Sequence, residues 1–202
     1  MDTETWLREI SNTSQGPYLR PFGASASWKS ARVLIVGTNP ATPLRSEFIS
    51  FDYYWEALTR DPDRFLEVYR RARRKGDSLT TRRTRELQGY LAPINSLVTN
   101  VYPYPASSAN RIPNKAYFRS LGRQIFSRLI ADLQPRALVL HGQPAFELLE
   151  WYRQEHGKTR ELIVKTFPHF SGQRVPAGFT TERWRVELSS AAAELKGLEG
   201  MT

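Results

Sequence analysis

Three polar side chains follow or close short apolar runs of this sequence. Asn39 follows "VLIVGT", Asn100 closes "SLVTN", and His169 follows "IVKTFP". Gly37 leaves φ free and Pro40 fixes φ beside the amide, so Asn39 is held in one place. Each residue alone is also typical of ordinary turn chemistry. If the apolar runs are parallel strands, however, the three groups meet at one sheet edge, which is how a catalytic constellation is assembled from distant sequence.

The elements that would bring these groups together alternate along the chain. Strands are predicted at 32–36, 96–101, 136–142 and 160–167, and helices at 3–11, 52–74, 114–132, 143–157 and from 180 or 181 onward. Apolar strands separated by helices indicate a parallel sheet covered on both faces. We therefore expect an α/β fold, a three-layer α/β/α sandwich around a four-stranded parallel sheet, with its site at the strand exits.

Composition limits the classes of function. The chain has no cysteine, which excludes disulfides, thiolate zinc sites, a cysteine nucleophile and iron–sulfur clusters, and it has only three histidines. No metal and no cofactor are expected. No apolar run approaches the roughly 20 residues of a membrane helix, and the acidic start "MDTETWLREI" does not resemble a secretory signal. We expect a single domain over residues 1–202, monomeric and cytoplasmic.

Charge favours a polyanionic partner. The net charge is +9 over 202 residues, and nucleic acid is the first candidate for such a balance. The segment from Arg60 to Arg85 holds ten Arg or Lys against four acids. It has the length of a basic helical insertion, at about 60–90, between the first two strands. It is either a phosphate-tracking surface or a solvated helix face.

In order along the chain, "GTNP", "TN", "HG" and "HFSG" close the four predicted strands. Together they resemble the uracil-DNA glycosylase superfamily, especially its mismatch-specific and single-strand-selective branches, from about Val33 to Arg174. The resemblance implies a four-stranded parallel sheet between helices, flipping of a base out of DNA, and metal-free hydrolysis of its N-glycosidic bond. DNA, double- or single-stranded, is the implied partner.

The resemblance also implies residue roles. Asn39 would position the attacking water, since a weakly nucleophilic water suffices against a sugar cation if it is held in place. Asn100 would read the pyrimidine edge, because one amide offers both a donor and an acceptor. His169 would stabilise the departing base as its O2 gains charge. Gly37 and Thr38 are assigned to the base pocket.

Other roles and departures come from the same resemblance. Phe51 would stack on the flipped base, although core packing is equally compatible with it and Tyr53, Tyr54 and Trp55 compete for the role. The most active branch has an Asp and a Tyr where this chain has Asn39 and Ala41, which predicts modest turnover and a roomier pocket. Ser171 would grip a phosphate. Gln173 and Arg174 stand where the family often has an apolar or Arg wedge that inserts into the duplex. The predicted DNA-binding residues are Ser171, Gly172, Gln173, Arg174, Arg70, Arg71, Arg73 and Arg74.

The leading hypothesis is a monofunctional DNA glycosylase that removes uracil or another altered pyrimidine. The alternative is a catalytically weak or inactive glycosylase-like protein that binds nucleic acid. A hydrolase of small nucleosides is disfavoured by the net charge of +9. A dinucleotide-binding loop is excluded because "GTNPAT" lacks the required glycine spacing. The base removed, the strand preference and the choice between repair and defence against foreign DNA stay open.

Overall fold

The computed structural model describes residues 1–73, 76–157, 162–172 and 180–197. Its strands are β1 (Val33–Gly37), β2 (Ser96–Asn100), β3 (Ala137–His141) and β4 (Ile163–Phe167). Its helices are α1 (Thr3–Ser11), α2 (Phe51–Thr59), α3 (Pro62–Arg73), α4 (Leu79–Leu91), α5 (Lys115–Leu133), α6 (Gln143–His156) and α7 (Thr181–Gly197).

The four strands form one parallel sheet in the order β2-β1-β3-β4. The two central strands, β1 and β3, are buried at every position. Continuous burial requires that both faces of the sheet be covered, and this is why β1 and β3 are apolar throughout rather than alternating. The predicted α/β class with a four-stranded parallel sheet is confirmed.

Alternate residues of the central strands serve two separate hydrophobic cores. Leu34 and Leu138 point into the larger core, which is built from α1, α2, α3, α5 and α6. Ile35 and Val139 point into the smaller core, which is built mainly from α4 and α7. Successive side chains of a strand leave on opposite faces, so five-residue strands are enough to hold three layers together.

The predicted helix over 52–74 is two helices in the structure. α2 ends at Thr59, whose hydroxyl donates to the Trp55 carbonyl oxygen at 2.7 Å, and α3 begins at Pro62. Proline has no N–H for the helical ladder and clashes with the preceding turn, so it starts a helix far more readily than it continues one.

The second half of the basic segment is a core element. α4 packs along α7 and buries Leu87 and Leu91 beneath the sheet. Its Arg83 is only 7% exposed. The cations of α4 are therefore attached to a helix that the fold needs irrespective of any ligand. None of the helices in the described parts of the chain is both long and apolar enough to cross a membrane.

Two helical glycines give a matched test of this packing. A Cβ on Gly122 of α5 would lie 1.8 Å from the Val101 carbonyl oxygen, whereas a Cβ on Gly89 of α4 would meet nothing within 4 Å. We expect Gly122→Ala to destabilise the protein by about 1–3 kcal/mol or more through overpacking. Gly89→Ala should be neutral or stabilising by up to about 1 kcal/mol. Urea denaturation measures both, and equal effects would contradict the close approach of α5 to the β2 exit.

Candidate functional site

The strand ends bring three groups together at the carboxyl edge of the sheet. Gly37 pairs with Asn100 in the parallel register of β1 and β2, and His141 closes β3 beside them. A Cβ on residue 37 would lie 2.8 Å from His141 Nε2 and 3.0 Å from Asn100 Oδ1. Only glycine lets the imidazole and the amide approach the backbone this closely. This is the physical requirement for the predicted pocket residue Gly37.

Asn39 is held in a single orientation. Its Nδ2 donates to the Ala106 carbonyl oxygen at 2.7 Å and to the Pro40 carbonyl oxygen at 3.0 Å. A flipped amide would place Oδ1 against two carbonyl oxygens, so the orientation is fixed by repulsion as well as attraction. Both N–H groups are thereby used, and Oδ1 is left as an acceptor. The half-buried amide can hold the hydrogen of a water or of a ligand.

The loop after β2 is fastened to the loop after β1. Backbone N–H groups of Val101 and Tyr102 donate to the carbonyl oxygens of Gly37 and Thr38, both at 2.9 Å, and the Ala106 N–H donates to the Pro40 carbonyl oxygen at 2.8 Å. Thr38 therefore takes part through its backbone. These bonds fix the position of Asn39 relative to the second strand exit.

His169 lies half-buried in the loop after β4. Its Nδ1 accepts from the Ser171 backbone N–H at 3.1 Å and lies 2.6 Å from the Ser171 hydroxyl. Burial lowers the pKa of His169 below its usual value. The imidazole is therefore neutral at physiological pH, and with Nδ1 accepting, its proton sits on Nε2. The ring offers a single N–H donor on the side away from its own loop.

The loop that carries His169 closes as a tight turn. The Gly172 N–H donates to the His169 carbonyl oxygen at 2.9 Å, and Gly172 has φ of +81°, a backbone conformation that favours glycine. Ser171 and Gly172 were predicted to contact DNA. The Ser171 hydroxyl lies against the imidazole, so one function of Ser171 within the fold is to orient His169.

His141 belongs to the site, although the sequence analysis did not select it. It is 2% exposed, its ring stacks on Phe170 at 4.1 Å between centroids, and it meets the His169 ring edge-on at 5.4 Å. Burial, with a smaller contribution from His169, lowers the pKa of His141 to about 3. The signal that identifies it is the one used for Asn100: a polar residue that ends an otherwise apolar strand.

Gly142, directly after His141, is required for this arrangement. It has φ of +84°, and a Cβ there would lie 2.7 Å from His169 Cδ2. Any larger residue would push the His169 ring away from the sheet. The "HG" pair thus supplies a buried imidazole and the space for a second one.

Arg83 of α4 holds the loop that carries His169 against the smaller core. Its Nη1 donates to the Phe170 carbonyl oxygen at 2.8 Å, and its guanidinium carbon lies 4.1 Å from the centre of the Trp184 ring. A buried cation that is hydrogen-bonded and stacked in this way is committed to the fold. Arg83, one of the ten cations of the basic segment, is therefore not a phosphate ligand.

Three further arginines of that segment lie on α3 and have partners. Arg71 pairs with Glu67 at 2.6 Å, Arg70 lies 3.9 Å from Asp77, and Arg73 donates to the Tyr69 hydroxyl at 3.5 Å. Exposed pairs of this kind contribute little stability, and they offset part of the positive charge of the helix. The other three predicted DNA contacts, Arg74, Gln173 and Arg174, lie outside the described residues.

Phe51 lies apart from the strand exits. Its ring contacts Tyr18 at 5.2 Å between centroids and Tyr54 at 6.0 Å, and the guanidinium of Arg8 lies 5.9 Å from it. It lines an open cleft of about 470 Å³ between α1 and the start of α2. The described contacts bring Phe51 to none of Asn39, Asn100 or His169.

The competing aromatic residues are also accounted for. Tyr54 and Trp55 are buried in the larger core, at 0% and 5% exposure. Tyr53 packs under the guanidinium of Arg64 at 3.9 Å. Base stacking by any of the four residues stays a prediction, with Phe51 and Tyr53 the two whose rings are partly exposed.

The described residues contain no group of three or more His, Cys, Asp or Glu side chains placed to hold a metal ion. No protein-family model matches this sequence, and no curated protein is significantly similar to it. The polar groups that follow or end the strands at the carboxyl edge of the sheet are two amides and two imidazoles, on Asn39, Asn100, His141 and His169.

The buried imidazole makes stability depend on pH. The pKa of His141 is about 3 in the folded chain and about 6.5 when unfolded. Between these values the unfolded chain binds a proton that the folded chain rejects. The neutral, buried His141 therefore contributes its full share to the free energy of unfolding above pH 6.5, and this share is lost as the pH falls below that value. We expect the wild type to lose on the order of 2 kcal/mol from this group between pH 7 and pH 5.

Urea denaturation at pH 7 and pH 5 measures this loss. His141→Gln, which cannot titrate, should be less stable at pH 7 and should lose less stability on going to pH 5. Phe170→Leu is the control, because it removes the stacked ring but keeps the imidazole and hence the pH dependence. An equal loss in His141→Gln and the wild type would show that His141 is not buried as described.

Proposed function

We propose that the protein is a monofunctional DNA glycosylase that hydrolyses the N-glycosidic bond of uracil or another altered pyrimidine, without metal. One observation carries the proposal. An oriented amide acceptor on Asn39, an amide on Asn100 and a neutral imidazole N–H donor on His169 converge at the carboxyl edge of one parallel sheet. The net charge of +9 is suited to a DNA substrate.

The imidazole suits the leaving group. When the bond between the sugar C1′ and the base nitrogen breaks, its electron pair stays on the base, and negative charge gathers on the pyrimidine O2. A neutral His169 donating from Nε2 stabilises that charge, and the acceptor bonds at Nδ1 hold the ring in the required tautomer. Burial, which lowers the pKa of His169, favours this neutral form.

The Asn39 amide suits the nucleophile. A sugar cation needs a water that is correctly placed rather than strongly activated. Asn39 Oδ1 accepts one hydrogen of that water, while the two Nδ2 bonds keep the oxygen in position. The water oxygen bonds to C1′, and its surplus proton goes to the released base anion. An amide cannot remove the proton as a carboxylate can, so turnover should be modest.

The Asn100 amide suits recognition. It closes β2 next to Gly37, and its side chain has no hydrogen bond to another described residue. Its donor and acceptor are thus available to the edge of a pyrimidine. His141 Nε2 lies close to the same position of residue 37 and adds a second polar group to the floor of the pocket.

The proposal is tested with oligonucleotides that each carry one altered base, incubated in EDTA and then cleaved by alkali at abasic sites. We expect release of uracil or another altered pyrimidine. Asn39→Ala and His169→Ala should each lower the single-turnover rate about 10²-fold or more while DNA binding changes little. Asn95→Ala and His156→Ala are matched controls, since these residues lie before β2 and at the end of α6, on the opposite edge of the sheet.

Three outcomes would contradict the proposal. Activity that is lost in EDTA and restored by a divalent metal would exclude metal-free hydrolysis. Near wild-type cleavage by either variant would remove that residue from catalysis. DNA binding without release of any base would favour the alternative, a glycosylase-like protein that only binds nucleic acid.

Recognition is tested separately at Asn100. Asn100→Asp replaces the amide donor with an acceptor, which reverses one side of the hydrogen-bond pattern shown to the base. The preference between uracil-like and cytosine-like bases in the same panel should therefore shift, whereas Asn95→Asp should leave it unchanged. A base profile identical to that of the wild type would place Asn100 outside the pocket.

A further inference from the structure

The loop between β2 and α5 presents an exposed surface that adjoins Asn39. The loop is tied to the site by the bond from Asn39 Nδ2 to the Ala106 carbonyl oxygen at 2.7 Å. Directly beyond Ala106 the chain becomes exposed and stays largely so into the first turn of α5. We call this the β2–α5 surface, formed by Ser107, Ser108, Asn110, Arg111, Lys115 and Tyr117.

The sequence around this surface carries charge of one sign. No Asp or Glu occurs from Leu87 to Ala131, while five basic residues do: Arg111, Lys115, Arg119, Arg123 and Arg128. The last three have partners, Glu147 for Arg119 and the Trp151 and Trp6 rings for the other two. Arg111 and Lys115 are exposed and form no ion pair within the part of the chain that the structure describes.

Nearby acids distinguish α3 from the β2–α5 surface as a place where phosphate can bind. Arg70 and Arg71 are exposed too, but each faces a carboxylate, Asp77 or Glu67. A phosphate that approaches α3 meets these acids as well as the arginines. At the β2–α5 surface no acid of the loop or of α5's first turn competes.

The same surface carries an exposed aromatic platform. Tyr117 is 55% exposed. Its ring packs edge-on against Phe118 at 5.0 Å between centroids, and Phe118 packs against Tyr104 at 4.7 Å. Lys115 Nζ lies 5.6 Å from the centre of the Tyr102 ring. An exposed, supported ring on the same short segment as two cations is suited to unpaired nucleotides, because a ring can stack on a base while cations contact phosphates.

We propose that the β2–α5 surface binds single-stranded DNA that flanks the target nucleotide, with Tyr117 stacked on a base and Arg111 and Lys115 on phosphates. In a duplex the base faces are hidden by stacking, so the exposed ring favours a single strand. The inference rests on the proposed function for the nature of the polymer and deepens it by naming the strand form.

Binding is measured by fluorescence anisotropy with a labelled thymidine oligomer and a duplex of the same length, over a series of salt concentrations. Tyr117→Ala should weaken single-strand binding at least about 5-fold, the loss of one stacked base, and leave the salt slope and duplex binding nearly unchanged. Arg111→Gln/Lys115→Gln should lower the magnitude of the single-strand salt slope by roughly 1.4, the value for two phosphate contacts.

The control is Arg153→Gln/Lys196→Gln, which removes the same charge from the ends of α6 and α7 at the opposite edge of the sheet. It should bind single strands like the wild type. Arg70→Gln/Arg71→Gln is measured in parallel. A larger loss in that variant than in Arg111→Gln/Lys115→Gln would place the strand on α3 and overturn the inference.

Equal losses for single strand and duplex in Tyr117→Ala, or no single-strand binding by the wild type, would also overturn it. Binding is measured without catalysis, so a failure of this inference can be told apart from a failure of the proposed glycosylase function. Single-strand binding through Tyr117 without base release would refute the glycosylase. Base release from duplexes with no role for Tyr117 would refute only the present inference.

Discussion

The burial of Phe170 is the constraint on which the candidate site depends. Its ring is 0% exposed, lies parallel to His141 and meets Trp184 edge-on, and its carbonyl oxygen accepts from Arg83. One residue thus joins β3, α4 and α7 to the loop that carries His169. Because His169 immediately precedes Phe170 along the chain, its position is fixed by core packing as well as by the loop's own turn.

Burial sets the protonation of the site as well as its geometry. Desolvation lowers the pKa of both His141 and His169, so the two imidazoles can lie edge-on at 5.4 Å without repelling each other. Together with the two amides they form a polar site that has no formal charge. Such a site is suited to stabilising charge that appears only during a reaction, since no charge of its own must first be desolvated.

The positive charge of the chain divides into three structural classes. Arg83 stabilises the core, the last three arginines of α3 face acids or Tyr69, and Arg111 and Lys115 are exposed on the loop after β2 and the first turn of α5. The sequence is richest in arginine where several of the side chains already have partners within the fold. Local charge count is therefore a poor guide to a binding surface, because acids that pair with the cations arrive from other turns and elements.

The sequence by itself determined the strands, their parallel arrangement and the polar residues at their ends. Short apolar runs and the turn chemistry of Gly37 and Pro40 are local properties of the chain. It did not reveal the break at Pro62 within the predicted helix over 52–74, nor the core function of Arg83. Only the tertiary structure decided that His141 joins the site, that Asn39 presents Oδ1, and that Phe51 packs beside α1. These depend on contacts between residues distant in sequence, and the residue types on either side of such a contact do not specify which partners meet.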